Sequence, residues 1–228
     1  MKIVIKKYLD YFKKFWNYIW NDDSLGSYVL NFLVAFIFIK FIFFPAIGFV
    51  LNNDYPIVAI VSGSMEHKIV DNQVCGNFIV DENKKNLDFN LWWNLCGNYY
   101  EKNFNLSVTD FDNFNYKNGL NIGDVMILYG KNPKNINLGD VLVFIPQDIR
   151  FFQEKGPVIH RVVKKWEDEN GKVHFQTKGD HNEISFNNFE NDIIEDNVIG
   201  VGVVRIPFIG YAKLALNNLI VGVGGIFK

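Results

Sequence analysis

Cysteine is scarce: the 228 residues hold two, Cys75 and Cys96. Two cannot build a disulfide framework, and they lack paired zinc-ligand spacing. A single bridge, formed on an oxidising side, and two free thiols both fit. A surplus of positive charge is missing too. Lys and Arg total 23 against 25 Asp and Glu, giving a net charge of -2, so no basic stripe can neutralise phosphates and a nucleic-acid partner is excluded. No internal repeat or low-complexity linker divides the chain, whose length suits one ordinary domain plus membrane segments. No small-residue Ala-x-Ala site follows the apolar run near the N-terminus, as it would after a cleavable secretory signal.

That apolar run, residues 27–51, reads as a transmembrane helix. From Tyr28 to Leu51 a helix rises about 36 Å, enough to cross a bilayer with some tilt. Lys40 near its middle snorkels, pairs or marks a functional contact within the membrane, and Pro45 and Gly48 make the helix irregular. Before it, residues 1–26 carry Lys2, Lys6, Lys7, Lys13 and Lys14 among Ile5, Leu9, Phe12, Trp16 and Ile19 at helical spacing. This predicts a cytoplasmic amphipathic segment at headgroup level, with the lipid bilayer as a partner and everything after Asn52 outside the cell membrane. Residues 206–228 are apolar apart from Lys213, Asn217 and Asn218, and read as a second span or an interfacial segment.

Residues 52–205 read as an extracytoplasmic β domain. Ile57-Val58-Ala59-Ile60-Val61 is a buried-type strand, and Ser62-Gly63-Ser64 can leave it in a bend. Ile122-Gly123-Asp124 and Leu138-Gly139-Asp140 are turns that each enter an apolar strand, and Asn170-Gly171 between two alternating runs is a hairpin signal. The stretch 71–119 interrupts this pattern as an Asn-rich, aromatic insertion with a short helix, its tryptophans serving packing. The fold class is therefore mostly β and antiparallel, anchored by an N-terminal transmembrane helix.

Three blocks carry chemistry: Ser62-Gly63-Ser64-Met65-Glu66, His160-Arg161-Val162 and Lys178-Gly179-Asp180-His181-Asn182. A serine, a histidine and a carboxylate can act as nucleophile, general base and orienting acid. The blocks resemble the type I signal peptidases of the archaeal and endoplasmic-reticulum branch, in which His160 stands where the bacterial branch has lysine. The resemblance covers roughly residues 55 to 205 and implies a signal-peptidase-type β domain. It further implies a membrane-bound serine endopeptidase that removes signal peptides from secretory pre-proteins with small residues before the cut, without metal or other cofactor. On it, Ser64 is the nucleophile, His160 the base, Asp180 the acid and Ser62 an oxyanion donor. Two positions depart from the family pattern: His67 replaces a proline, and Phe186 stands where a further aspartate belongs. Asp192 and Asp196 are other acids that could reach the site if the loop between them and Ser185 folds back. A different class, a catalytically inactive membrane-anchored β domain that binds exported chains, is the alternative that Phe186 supports.

Overall fold

The computed structural model describes residues 2–79, 86–146 and 156–209, with side chains from Lys6 onward. Most of the apolar segment expected over 206–228 thus lies outside the described residues. The chain divides into two compact units, Met1–Val50 and Leu51–Lys228.

In the first unit, α1 (Lys2–Asn21) is followed by α2 (Leu25–Phe38), a π-helical turn (Ile39–Phe43) and α3 (Phe44–Leu51). Ser24 caps α2 by accepting the Ser27 N–H at 3.3 Å, which starts the helix two residues ahead of the expected boundary. Ser27 in turn donates to the carbonyls of Tyr18 (2.7 Å) and Ile19 (3.1 Å), occupying acceptors left open near the end of α1. Leu25–Leu51 forms 27 helical residues of mean hydropathy 2.5, long and apolar enough to cross a membrane. The widened turn has a local cause. Pro45 has no N–H for the Phe41 carbonyl and its ring crowds that oxygen; just before it, Phe44 N–H reaches back to Ile39 O. Lys40 lies in this turn, with its ammonium 5.8 Å and 5.4 Å from the ring centres of Phe36 and Phe41.

The second unit is mostly sheet. In chain order its elements are β1 (Ile57–Ala59), β2 (Gln73–Val74), β3 (Asn77–Phe78), α4 (Phe89–Phe104), α5 (Val108–Asp112) and β4 (Val125–Tyr129). There follow β5 (Val141–Phe144), β6 (Val158–Glu167), β7 (Val173–Lys178), β8 (Ile193–Ile194) and β9 (Val198–Ile206). Among the described residues, β1-β4-β9-β5-β6-β7-β8 form one antiparallel sheet curled into a half-barrel. Register shifts in the β4–β9, β5–β9 and β6–β7 pairs supply local bends of the kind that curl a sheet. The two Gly-Asp turns share one construction. Gly123 (φ 86°) and Gly139 (φ 85°) take the left-handed conformation, while Asp124 and Asp140 accept the N–H of Asn121 and Asn137. The Asn170-Gly171 signal falls in the β6–β7 hairpin, closed by Asp168 accepting from Asn170 and Lys172.

Alternation along β6 gives the site its geometry. His160 and Val162 point to one face, where Val162 packs with Leu142, Phe144 and Phe175; Arg161 and Val163 point to the other. That second face is covered by the 71–119 insertion, where Val163 joins Trp92, Tyr100 and Phe111 in an aromatic core. Trp92 and Trp93 are buried there as packing residues. Asp88 caps α4, Asn105 ends it in the left-handed conformation (φ 54°), and a Ser107–Asp110 capping box starts α5. A Cys75–Cys96 disulfide ties the end of the β2–β3 hairpin to α4, so the two cysteines form a bridge.

Candidate active site

Ser64 sits in the turn that leaves β1, closed by Glu66 N–H donating to Gly63 O at 3.0 Å. The turn is fixed from three sides. Ser64 O accepts His181 N–H (2.8 Å), Met65 O accepts Leu120 N–H (2.8 Å), and the buried Glu66 carboxylate accepts Ile122 N–H at 2.9 Å. Met65, fully buried among Ile60, Leu120 and Met126, anchors the loop to the barrel. The Ser64 side chain stays partly exposed. Its Oγ lies 2.9 Å from His160 Nε2 and 3.2 Å from the Ser62 hydroxyl.

His160 is buried on β6 opposite Leu142. Gly179 lies so close that a Cβ there would stand 2.8 Å from both His160 Nε2 and Ser64 O; the bare backbone leaves the serine–histidine contact its room. On the far side of the imidazole, Nδ1 is 2.5 Å from Oε1 of Glu190, whose side chain is fully buried. The pair is an ion pair only when the imidazole is protonated, and among the described residues neither atom has a hydrogen-bond partner elsewhere.

Asp180 is not at the imidazole. Its carboxylate receives Arg161 Nη2 (2.7 Å), Arg161 Nε (3.0 Å), the Tyr100 hydroxyl (3.2 Å) and His67 Nε2 (3.2 Å), all fully or almost fully buried. The reason is strand geometry. Asp180 pairs with Arg161, and Arg161 points away from the face that His160 occupies. Asp180, expected beside His160, lies instead on Arg161 as the counter-charge of a buried arginine. Burial opposes ionisation of Asp180, but the Arg161 charge and the bonds from His67 and Arg161 outweigh it and hold the carboxyl well below its ordinary range. Arg161 also donates to the carbonyls of Asn115, Tyr116 and Gly139, and lies 4.6 Å over the Phe111 ring.

Two further groups complete this second face. His67, in the family's proline position, stacks on Trp92 at 3.9 Å with the rings 6° from parallel. Burial pulls its pKa down, against the Asp180 bond that raises it. Lys178 Nζ donates to Gly179 O (3.0 Å), Asn182 O (2.7 Å) and the Tyr100 hydroxyl (3.4 Å), and burial lowers its pKa to about 8. It thereby holds the turn that passes beneath Ser64 and His160. Asp192 and Asp196 lie elsewhere, on His174 Nδ1 and Lys172 Nζ, each at 2.6 Å.

The sequence reading did not single out Glu190, which stands at the imidazole, or Tyr100, which donates to Asp180. Strand alternation held a signal for Glu190: an acid that neutralises Arg161 cannot also serve its neighbour His160.

No family model matches the chain. It is 29% identical over 102 residues to the signal peptidase complex catalytic subunit SEC11C of Homo sapiens, and equally to that of Mus musculus, covering 42% of this chain and 50% of each relative. The corresponding SEC11 subunit of Colletotrichum graminicola is 28% identical over 101 residues, 42% of this chain and 55% of the relative. The chain spans about half the length of the curated relatives it matches. By these likenesses the chain is a relative of the type I signal peptidases of the endoplasmic-reticulum branch.

Proposed function

We propose that this chain is a membrane-bound serine endopeptidase that removes signal peptides from exported pre-proteins, with Ser64 as nucleophile and His160 as general base. The observation that carries this reading is the 2.9 Å contact between Ser64 Oγ and His160 Nε2 in a turn fixed by main-chain bonds. A serine hydroxyl attacks only as it loses its proton; the imidazole nitrogen within hydrogen-bond reach takes that proton and later returns it to the leaving amine. The carbonyl carbon becomes tetrahedral, and its oxygen needs donors. The Ser64 N–H and the Ser62 hydroxyl, 3.2 Å from Ser64 Oγ, are the groups proposed for that task.

The substrate is an extended segment. β1 is an outer strand of the sheet, so a peptide can add alongside it, with main-chain bonds supplying affinity and shallow pockets selecting small side chains before the cut. The apolar helix and the lysines before it support an N-terminal anchor in the cell membrane with residues 52–205 outside. The Cys75–Cys96 bridge suits an oxidising compartment. Incubating purified full-length protein with a pre-protein in detergent, beside Ser64→Ala, tests the reading: one cut after a small residue, lost in the variant, is expected. Binding without cutting would favour an inactive carrier of exported chains.

A further inference from the structure

We propose that Glu190 is the positioning residue that orients His160, the acid having moved along the loop from position 186 and leaving Asp180 a purely structural role; this rests on the Ser64–His160 reading above. The loop from Ser185 to Asn191 is built to deliver it. Glu190 N–H donates to Phe186 O (2.9 Å), Glu190 O accepts Thr177 N–H (3.0 Å), and Ser185 Oγ donates to Thr177 O (2.7 Å). The main chain at Glu190 is thus pinned to β7 and to its own loop. The side chain is shared between two partners: Oε2 accepts the Phe186 N–H at 2.7 Å, and Oε1 is 2.5 Å from His160 Nδ1.

Position 186 therefore contributes a backbone N–H where the family pattern would supply a carboxylate. Its ring turns outward, about four-tenths exposed, and stacks on Phe189 at 5.5 Å. Phe189 lies 6.4 Å from the His160 ring and closes the apolar side of the imidazole. Glu190, longer by one methylene than an aspartate and placed four residues later, reaches back under this pair. The competing acids are committed elsewhere: Asp180 to Arg161, Asp192 to His174 and Asp196 to Lys172. A carboxylate at Nδ1 keeps the ring proton there, leaves the Nε2 lone pair facing Ser64, and compensates the imidazolium formed when Ser64 gives up its proton. The proton on Nδ1 stays on the ring throughout.

The test compares four full-length proteins cleaving a synthetic pre-protein: wild type, Ser64→Ala, Glu190→Gln, and Glu190→Gln combined with Phe186→Asp. Near-ultraviolet circular dichroism gives the folded fraction. Glu190→Gln should lower kcat by about 10²- to 10⁴-fold with little change in KM, since it alters the base rather than the binding strand. An aspartate placed at 186 in that background should recover at least about tenfold, which a merely structural role for Glu190 does not provide. Wild-type kcat per folded molecule in Glu190→Gln overturns the assignment, as does a loss that the added aspartate leaves untouched. The two readings fail separately. Ser64-dependent cleavage that survives Glu190→Gln removes only the role of Glu190, whereas absence of Ser64-dependent cleavage in the wild type removes the endopeptidase reading, and Glu190's role with it.

Discussion

Asp180→Asn is expected to destabilise the domain rather than disable its chemistry. Asp180 and Arg161 are both fully buried and joined by two bonds, of 2.7 Å and 3.0 Å. The substitution keeps the shape and removes the charge. Arg161 then keeps the carbonyls of Asn115, Tyr116 and Gly139, the Phe111 ring and an amide oxygen, which offer dipoles in place of the carboxylate charge. Breaking a buried pair by neutralising one member costs about 3 to 5 kcal/mol, because the remaining ion stays desolvated. For a domain of this size that lowers Tm by about 6 to 20 °C. The pH dependence has a fixed sign. The carboxyl is depressed below its ordinary 3.8, so its stabilisation is complete above that value and fades as pH falls through the folded-state value; the variant should lack this acid-side loss. Thermal melts of full-length protein in detergent measure the first effect, and cleavage per folded molecule the second. The latter should stay within about tenfold of wild type. A variant as stable as wild type but slower by several orders of magnitude would refute the reasoning and return the orienting role to Asp180.

Three other outcomes follow from the same geometry. Ser62→Ala should slow cleavage by about 10²-fold without altering the melt, since one oxyanion donor is lost from an exposed side chain; an unchanged rate would remove Ser62 from the hole. Lys178→Met should abolish a rise in stability between pH 8 and 10.5. In that window the unfolded chain still holds the proton that buried Lys178 has released, a difference of about 3 kcal/mol, and parallel pH curves for the two proteins would contradict it. Replacing both Cys75 and Cys96 with serine should cost about 3 kcal/mol, as expected for freeing a 21-residue loop, read as a lower denaturant midpoint; an unshifted midpoint would show that the aromatic core alone holds the insertion.

Much of the fold was legible because local chemistry fixes it. The apolar run, Asn170-Gly171 and the two Asn-x-Gly-Asp turns each announce an element through period or required backbone conformation. The π-helical turn could be anticipated only in part: Pro45 signals an irregularity, but its form depends on how Phe44 finds a carbonyl. At the site, the motifs singled out Ser64 and His160, whose side chains lie 2.9 Å apart across 96 residues of chain. The carboxylate that stands at the imidazole was not legible, since Asp180 sits in the motif and Glu190 does not. Choosing between them requires knowing which face of β6 each loop reaches. That depends on the insertion covering the Arg161 face, and Trp92, Tyr100 and Phe111 declare no such contact from their spacing. His67 is a similar case, a polar group whose place is set by stacking on Trp92 and by a bond to Asp180.

The most direct measurement of the central proposal is cleavage of a signal-peptide-bearing pre-protein by the purified full-length chain reconstituted in lipid, with Ser64→Ala and His160→Ala prepared identically and shown to be folded. The expected result is a single cut after a small residue by the wild type and loss of about 10³-fold or more of that activity in each variant. Cleavage that persists in folded Ser64→Ala would contradict the assignment of the nucleophile, and a folded wild type that binds the pre-protein without cutting it would contradict the enzyme itself.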